Sequence, residues 1–373
     1  MNVAYPSESF LTPEATVEGF IDLLKGGFEN PESRSGCVRV VVPEHPELGF
    51  RARFAETLLV DRPNGSFDVD TEMVFPIRTL EKMFREFEFL DWRSPEILGT
   101  MKITGDLSLA FVMGLSCLRP SDWTEARFRK AAAIHRKHDY KNLNTIDRLH
   151  QPSQMQLLEA MEESRPVIIT GLEPDPPCRN WTLERLLDQY ADVIVCYRSE
   201  DQHLTLREFV DDMRRFDADP SLIMSEGLFK PYTEGAALPK EMWDDFGPVF
   251  FSREDFIPPQ LWFGSVRTDI PATHLHRDPL TGFLFQIMGK KRLDLYSADQ
   301  AENLYPLKAY NNYQRCWFKP EAPDYDIYPK AREAKCLSVE LHPGELLVQP
   351  AGWFHQVYAL DSPTMSVSYF WRY

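Results

Sequence analysis

Three residues near the C-terminal end of the chain have the types and spacing to do chemistry. His276 and Asp278 stand two apart in His276-Arg277-Asp278, and His355 closes the run Pro350-Ala351-Gly352-Trp353-Phe354-His355, 79 residues after His276. Alternate residues of a strand project to one side, so His276 and Asp278 can face a common point. Two imidazoles and one carboxylate are the donor set of a facial triad that holds iron(II) and leaves coordination positions open, which makes oxygen chemistry the leading expectation. An isolated histidine is usually a core residue satisfied by backbone hydrogen bonds. Here the joint presence of the His-x-Asp pair, the distal histidine and a suitably placed lysine favours ligation.

That lysine is Lys291. It follows the apolar strand 283–287 and the turn Met288-Gly289-Lys290. Read as a hairpin, the return strand puts Lys291, Leu293 and Leu295 on one face and Arg292, Asp294 and Tyr296 on the other. A cation among aliphatic side chains needs a buried anion, whereas Lys290 and Arg292 fall outward as solvated charges. On 345–350, Leu347 and Gln349 share one face and Leu346 and Val348 the other. The turn at Pro350-Ala351-Gly352 then returns the chain, again as a hairpin, so that His355 can meet His276 and Asp278. By the same alternation His274 shares the face of His276, either as a residue that lines the substrate pocket or supports a ligand from behind, or as simple packing. Trp262, Phe283, Phe285, Trp353, Tyr369 and Trp371 supply aromatic walls, most of them as core.

These elements sit in a chain of 373 residues, which suits two domains better than one core. A net charge of -16 argues against a polyanion as partner, since nucleic-acid readers carry basic patches that release phosphate counterions. A basic stripe at Arg127, Arg129, Lys130, Arg136, Lys137 and Lys141 reads as a solvated helix face. The six cysteines include no Cys-x-x-Cys pair. With no apolar N-terminal leader and no apolar run long enough to cross a membrane, they point to a cytoplasmic enzyme without a zinc cluster.

The first part reads as a small α/β unit. A helix starts near Thr12-Pro13-Glu14 with Val17, Phe20, Ile21 and Leu24 as its apolar stripe. Strands follow at 37–42, 49–60 and 66–75, the last two joined as a hairpin through Arg62-Pro63-Asn64-Gly65. A helix fits 78–88 and an apolar stretch 97–117 completes the unit. The segment Ile97-Leu98-Gly99-Thr100-Met101-Lys102-Ile103-Thr104-Gly105-Asp106-Leu107-Ser108-Leu109-Ala110 resembles the sterol-carrier-protein-like lipid-binding family. That resemblance covers about 10–117 and implies either a tunnel for a hydrophobic ligand or a spacer or dimerisation module.

After a linker or connecting helix at 118–149, the text changes. Ser164–Leu172, Asn180-Trp181-Thr182-Leu183 and Leu204–Val210 resemble the entry of a JmjC-type cupin oxygenase, with Thr182 and Thr205 as N-caps. Thr273-His274-Leu275-His276-Arg277-Asp278, then Phe283–Arg292, then Gly344–Pro350 are similar, in order and spacing, to the JmjC and asparaginyl-hydroxylase-like family over 150–373. The resemblance implies an α+β chain whose C-terminal domain is a double-stranded β-helix, or jelly-roll. It implies Fe(II) on His276, Asp278 and His355, with 2-oxoglutarate and dioxygen as cosubstrates. It also implies that Lys291 and the Thr273 hydroxyl bind the distal carboxylate of 2-oxoglutarate. The family's cosubstrate tyrosine has no evident counterpart, because Leu222-Ile223-Met224 occupies its expected place.

The expected reaction is hydroxylation of a peptide, protein or amino-acid side chain. A small hydrophobic metabolite delivered by the N-terminal domain is the alternative, and a non-catalytic binding module or a metal cupin that does not use 2-oxoglutarate are the rivals from other classes. With the last strand ending at Trp371, a homodimer would use surfaces other than C-terminal helices, the N-terminal domain first among them.

Overall fold

The structure is a computed structural model that describes residues 11–62, 68–88, 90, 97, 99–172, 176–196, 203–219, 231–246 and 250–373. The chain forms two compact units, Met1–Ser121 with Leu307–Asn312, and Asp122–Pro306 with Tyr313–Tyr373.

In the first unit, helix α1 (Pro13–Gly27) is capped by Thr12, whose hydroxyl accepts the Ala15 amide. The strands are β1 (Gly36–Val41), β2 (Phe50–Phe54), β3 (Leu58–Asp61), β4 (Thr71–Val74) and β5 (Lys102–Gly105), with helices α2 (Ile77–Arg85) and α3 (Leu107–Ser116). The sheet order is β3-β2-β1-β4-β5. The expected hairpin between 49–60 and 66–75 is therefore not formed. The first of those segments is itself a hairpin, β2 with β3, and β4 crosses to the other side of β1 and pairs with it in parallel. A place inside the sheet buries Thr71 and Met73 to 1% exposure, which an edge position would not. Asn64-Gly65 lies outside the described residues. The segment Leu307–Asn312 is built into this unit, where Asn311 donates its amide to the Leu90 carbonyl at 2.8 Å and the Lys308 N–H donates to Glu29 at 2.6 Å.

The second unit opens with helix α4 (Asp122–His138), strand β6 (Asp147–His150), helix α5 (Gln154–Glu162), strand β7 (Val167–Thr170), helix α6 (Leu183–Tyr190), the hairpin β8 (Ile194–Cys196) and β9 (His203–Thr205), and helix α7 (Leu206–Ala218). Thr182 and Thr205 cap α6 and α7, the second in a reciprocal capping box with Glu208. Strands β10 (Ala236–Ala237), β11 (Gln260–Gly264), β12 (Thr273–Arg277), β13 (Gly282–Met288) and β14 (Lys291–Tyr296) follow, then helix α8 (Ala301–Leu304). The chain ends with β15 (Gln314–Arg315), β16 (Leu337–Leu341), β17 (Leu346–Gln349), β18 (Phe354–Ala359) and β19 (Thr364–Phe370).

The strands make a seven-stranded sheet, β10-β11-β19-β13-β17-β7-β6, and a five-stranded sheet, β15-β12-β18-β14-β16. The two hairpins expected at Met288-Gly289-Lys290 and Pro350-Ala351-Gly352 are instead crossings between sheets. Both sides of β13 are already paired, with β17 and β19, so β14 has no edge to join and passes to the smaller sheet. In the same way β17 is flanked by β13 and β7, and β18 crosses to lie between β12 and β14. The inner faces meet around Ile168, Leu293, Leu295, Leu347, Trp353 and Val357. The outer face of the larger sheet carries Phe283, Phe285, Leu346, Val348, Val367 and Tyr369 beneath residues of α5, α6 and α7. Phe283, Phe285 and Tyr369 thus belong to this outer layer and not to the barrel lining.

Helix α4 packs within this second unit. Its buried positions Thr124, Phe128, Ala131 and His135 recur at helical spacing along one face. Gly352, at φ +87°, lies so close that a Cβ there would stand 2.5 Å from the Ala131 methyl, and its N–H donates to the Asp278 carbonyl at 2.9 Å. Gly352→Ala is expected to lower unfolding free energy by about 1–3 kcal/mol from backbone strain alone, read as a reduced urea midpoint at unchanged slope.

Candidate metal centre

The centre begins at a cross-strand pair. His276 of β12 stands directly opposite His355 of β18, with the two rings 4.1 Å apart. Asp278, just past the end of β12, turns Oδ2 to 3.7 Å from His276 Nε2 and 3.6 Å from His355 Nε2. One donor atom from each residue lies within 4.8 Å of the others, which makes this the one group of its kind among the described residues. The Nδ1 of His276 lies 2.8 Å from the His274 carbonyl, to which it donates, leaving the lone pair of the ring on Nε2, the atom turned toward Asp278. Burial, and then the neighbouring His276, push the His355 imidazolium down to about 3 against the opposing pull of Asp278. The neutral ring is the form that binds a metal. The donor set and the inward Nε2 atoms fit a divalent transition ion with open positions.

A bulge fixes what surrounds the pair. Thr273 faces Val357 and His276 faces His355, so three steps on β12 match two on β18. Thr273 consequently joins Val357 on the inner face although it stands three positions, an odd offset, before His276. His274 does not follow simple alternation. It lies opposite the Gln356 region, is 60% exposed, and holds Glu321 at 3.0 Å, while Glu321 also accepts from Gln356 at 2.9 Å. The side chain of His274 is thus not packed core and turns to Glu321, while its carbonyl supports His276 from behind by accepting from Nδ1.

Lys291 is 1% exposed on the inner face of β14. Its ammonium donates to Ser366 Oγ and, at 3.4 Å, to the hydroxyl of Tyr232, and no carboxylate pairs with it among the described residues. Burial lowers its pKa from 10.5 to about 7. Lys290 and Arg292 are partly exposed, and Arg292 stacks on Tyr358 at 4.0 Å. Tyr232 and Ser366 were not singled out in the sequence. Ser366 had a legible signal, because Thr364, Ser366 and Ser368 alternate with the outward Met365, Val367 and Tyr369. Tyr232 had none, being 59 residues before Lys291 in an irregular stretch. Leu222-Ile223-Met224 lie outside the described residues.

The helix expected as a connector also reaches the centre. Arg277, between the candidate ligands His276 and Asp278, turns outward and is held between the rings of Phe128 of α4 at 3.9 Å and Phe354 at 4.6 Å, with Gln314 accepting from its Nε at 2.8 Å. His135 of α4 accepts the Ala298 N–H at Nδ1, packs its ring at a tilt against Trp353 at 4.8 Å and lies 2.8 Å from Ser164 Oγ. Its burial pushes its pKa down to about 3.

Fold and site together define a class, a two-sheet barrel that gathers two histidines and a carboxylate at one point beside a buried lysine. The chain belongs to the cupin-like domain family, whose model matches residues 152–373. It is 36% identical over 246 residues to lysine-specific demethylase 8 of Xenopus tropicalis, covering 61% of this chain and 52% of that protein. It is 35% identical over 182 residues to tRNA wybutosine-synthesizing protein 5 of Danio rerio, 47% of each chain. Likeness to HSPB1-associated protein 1 of Rattus norvegicus is 25% over 241 residues, 56% of this chain and 49% of the relative. The chain spans about half the length of the curated relatives it matches. No helix among the described residues is long and apolar enough to cross a membrane.

The lysine makes a pH-dependent prediction. Between its folded value of about 7 and the ordinary 10.5, the unfolded chain binds more protons than the folded one, so stability rises with pH across that window. Below it both states are protonated and the full cost of the buried charge remains. In ligand-free protein Lys291→Met should be more stable than wild type near pH 7, and the gap should narrow toward pH 10. Denaturation curves at several pH values decide it, and a gap independent of pH would remove the buried charge from the account.

Proposed function

We propose that the protein is an Fe(II)- and 2-oxoglutarate-dependent oxygenase that hydroxylates a C–H bond of a peptide, protein or amino-acid side chain. His276, Asp278 and His355 hold the iron, and Lys291 and Thr273 receive the distal carboxylate of 2-oxoglutarate together with Tyr232 and Ser366. The observation that carries this reading is a fully buried ammonium, without a carboxylate partner among the described residues, in the same barrel as the three-ligand group. A dicarboxylate supplies the missing anion and restores the protonated form of the lysine.

When bound, iron with 2-oxoglutarate and dioxygen supplies oxidative decarboxylation to succinate coupled to hydroxylation of the substrate. The chain's own part is geometric. The His276–His355 pairing and Asp278 fix three donors on one side, and the hydroxyls of Tyr232 and Ser366 orient the lysine. The layer of Leu293, Leu295, Leu347 and Trp353 keeps water from the barrel interior. A retained scaffold without catalysis is disfavoured, because such a chain has no need of a buried unpaired cation.

The N-terminal unit is proposed to be sterol-carrier-like, and with a ligand of its own it would favour the alternative substrate, a small hydrophobic metabolite. The support is a sheet that buries Val38, Val40, Ala52 and Met73 on one face while Arg39, Arg51, Asp61 and Glu72 pair on the other. Native mass spectrometry of the full chain is expected to show no co-purifying acyl or steroid-like ligand. A stoichiometric one would transfer the substrate assignment to the metabolite.

Anaerobic titration with Fe(II) and 2-oxoglutarate, followed by its visible charge-transfer band, tests the reading directly. His276→Ala, Asp278→Ala and His355→Ala should each abolish succinate formation while the fold persists, and normal turnover by correctly metallated His355→Ala protein would sink the assignment. Lys291→Ala should weaken 2-oxoglutarate by about 2–5 kcal/mol, roughly 30- to several-thousand-fold, with iron binding retained. Lys290→Ala should be nearly neutral. The reverse result would place the wrong lysine in the barrel.

A further inference from the structure

The two histidines of the centre are oriented by different means. His276 Nδ1 meets a main-chain carbonyl, that of His274, at 2.8 Å. His355 Nδ1 lies 2.7 Å from the amide Nε2 of Gln349, and 3.3 Å from the Trp353 carbonyl. Gln349 and His355 are each 8% exposed. The amide makes no other hydrogen bond among the described residues. Its position follows from the alternation of β17, in which Leu346 and Val348 face the outer layer and Leu347 and Gln349 the interior. It lies opposite Gly282, which has no side chain to compete for that space.

We propose that Gln349 is a positioning residue for the metal, acting through His355. This rests on the reading that His355 is a ligand. Coordination through Nε2 requires that atom to keep its lone pair, so the ring proton must sit on Nδ1 and the neighbour must accept it. Gln349 does so once its amide is flipped, so that Oε1 takes the place that Nε2 holds beside the ring; the two orientations fill the same space, and a proton on Nδ1 selects the flipped one. With Oε1 accepting, the imidazole is locked in one tautomer and its Nε2 becomes a better donor. Without it the Trp353 carbonyl is the remaining acceptor, and at 3.3 Å it holds the ring weakly. One ligand is thus set by the backbone and cannot be altered by substitution, while the other is set by a side chain and can be.

The test uses Co(II) alone as probe, titrated into the full-length metal-free protein and followed by its visible absorption. Gln349→Leu keeps the volume and loses the acceptor, and should bind Co(II) about 10–100-fold more weakly. Gln349→Glu restores an acceptor and should recover at least wild-type affinity, which a merely structural role would not predict. Nitrogen NMR of the Zn(II)-loaded wild type should show His355 protonated at Nδ1, with that signal displaced in Gln349→Glu and the His276 signal unmoved. If wild type takes Co(II) and Gln349→Leu matches it within about twofold, the proposal fails while the metal-site reading stands. If wild type takes no Co(II), both fall. Should the leucine variant not fold, the NMR comparison decides alone, and a His355 signal indifferent to Gln349→Glu overturns the proposal.

Discussion

The centre depends on one helix face. Phe128, Ala131 and His135, at helical spacing on α4, each hold a different piece of backbone that carries or adjoins a candidate ligand. Phe128 stacks on Arg277, the residue between His276 and Asp278. Ala131 fills the space over Gly352, whose N–H in turn holds the Asp278 carbonyl. His135 packs on Trp353, two residues before His355. Three donors from two separate chain segments need to be held within a fraction of an ångström for a metal to see them as one site. A single rigid helix does this with less conformational freedom than loops could, because its contact positions move together.

The sheet arrangement supplies the second constraint. The larger sheet has an apolar outer face covered by helices and an inner face on which Thr364, Ser366, Ser368 and Gln286 bring polar groups into the barrel. Trp262 donates its indole N–H to Ser368 at 2.8 Å, so much of that polarity is already satisfied. The smaller sheet contributes the aliphatic Leu293 and Leu295 and the two paired histidines. Lys291 sits where the two characters meet, since it belongs to the aliphatic sheet and donates to a hydroxyl of the polar one. Its charge is tolerated because the hydroxyl oxygens of Ser366 and Tyr232 accept from it, and is compensated fully only by an anion.

How much of this was legible in the sequence follows from which signals are local. The burial of Lys291 with Leu293 and Leu295 came from period-two alternation, which holds whichever strand is the partner, so it survives although the hairpin itself does not form. His274 was misplaced by the same rule because a bulge inserts a residue into β12, and a bulge between Thr273 and His276 leaves no mark of its own in the residue types. The sheet crossings at Gly289 and Gly352 look like hairpin turns in sequence, since a glycine at positive φ serves either. What distinguishes them is whether the neighbouring strand has a free edge. Tyr232 could not be reached from spacing because its relation to Lys291 is made only by the closed barrel. Helix α4 read as a connector because its buried face consists of Thr124, Phe128, Ala131 and His135, too few large apolar residues to announce a core helix.

The same comparison separates the robust parts of the centre from the adjustable ones. The His276–His355 pairing, the His276 tautomer and the Asp278 carbonyl are all secured by main-chain hydrogen bonds, which substitution at a neighbouring position leaves in place. The setting of His355 by Gln349, beside a longer contact to the Trp353 carbonyl, and of Lys291 by Tyr232 and Ser366 is made by side chains. Conversion of one of those side chains to an apolar residue of similar size would keep the barrel and change the chemistry it can hold. On the proposed reading a barrel of this kind retains its three donors while single substitutions alter its affinity for metal and the acid that Lys291 would receive, so that proteins with related barrels can diverge in substrate without rebuilding the fold.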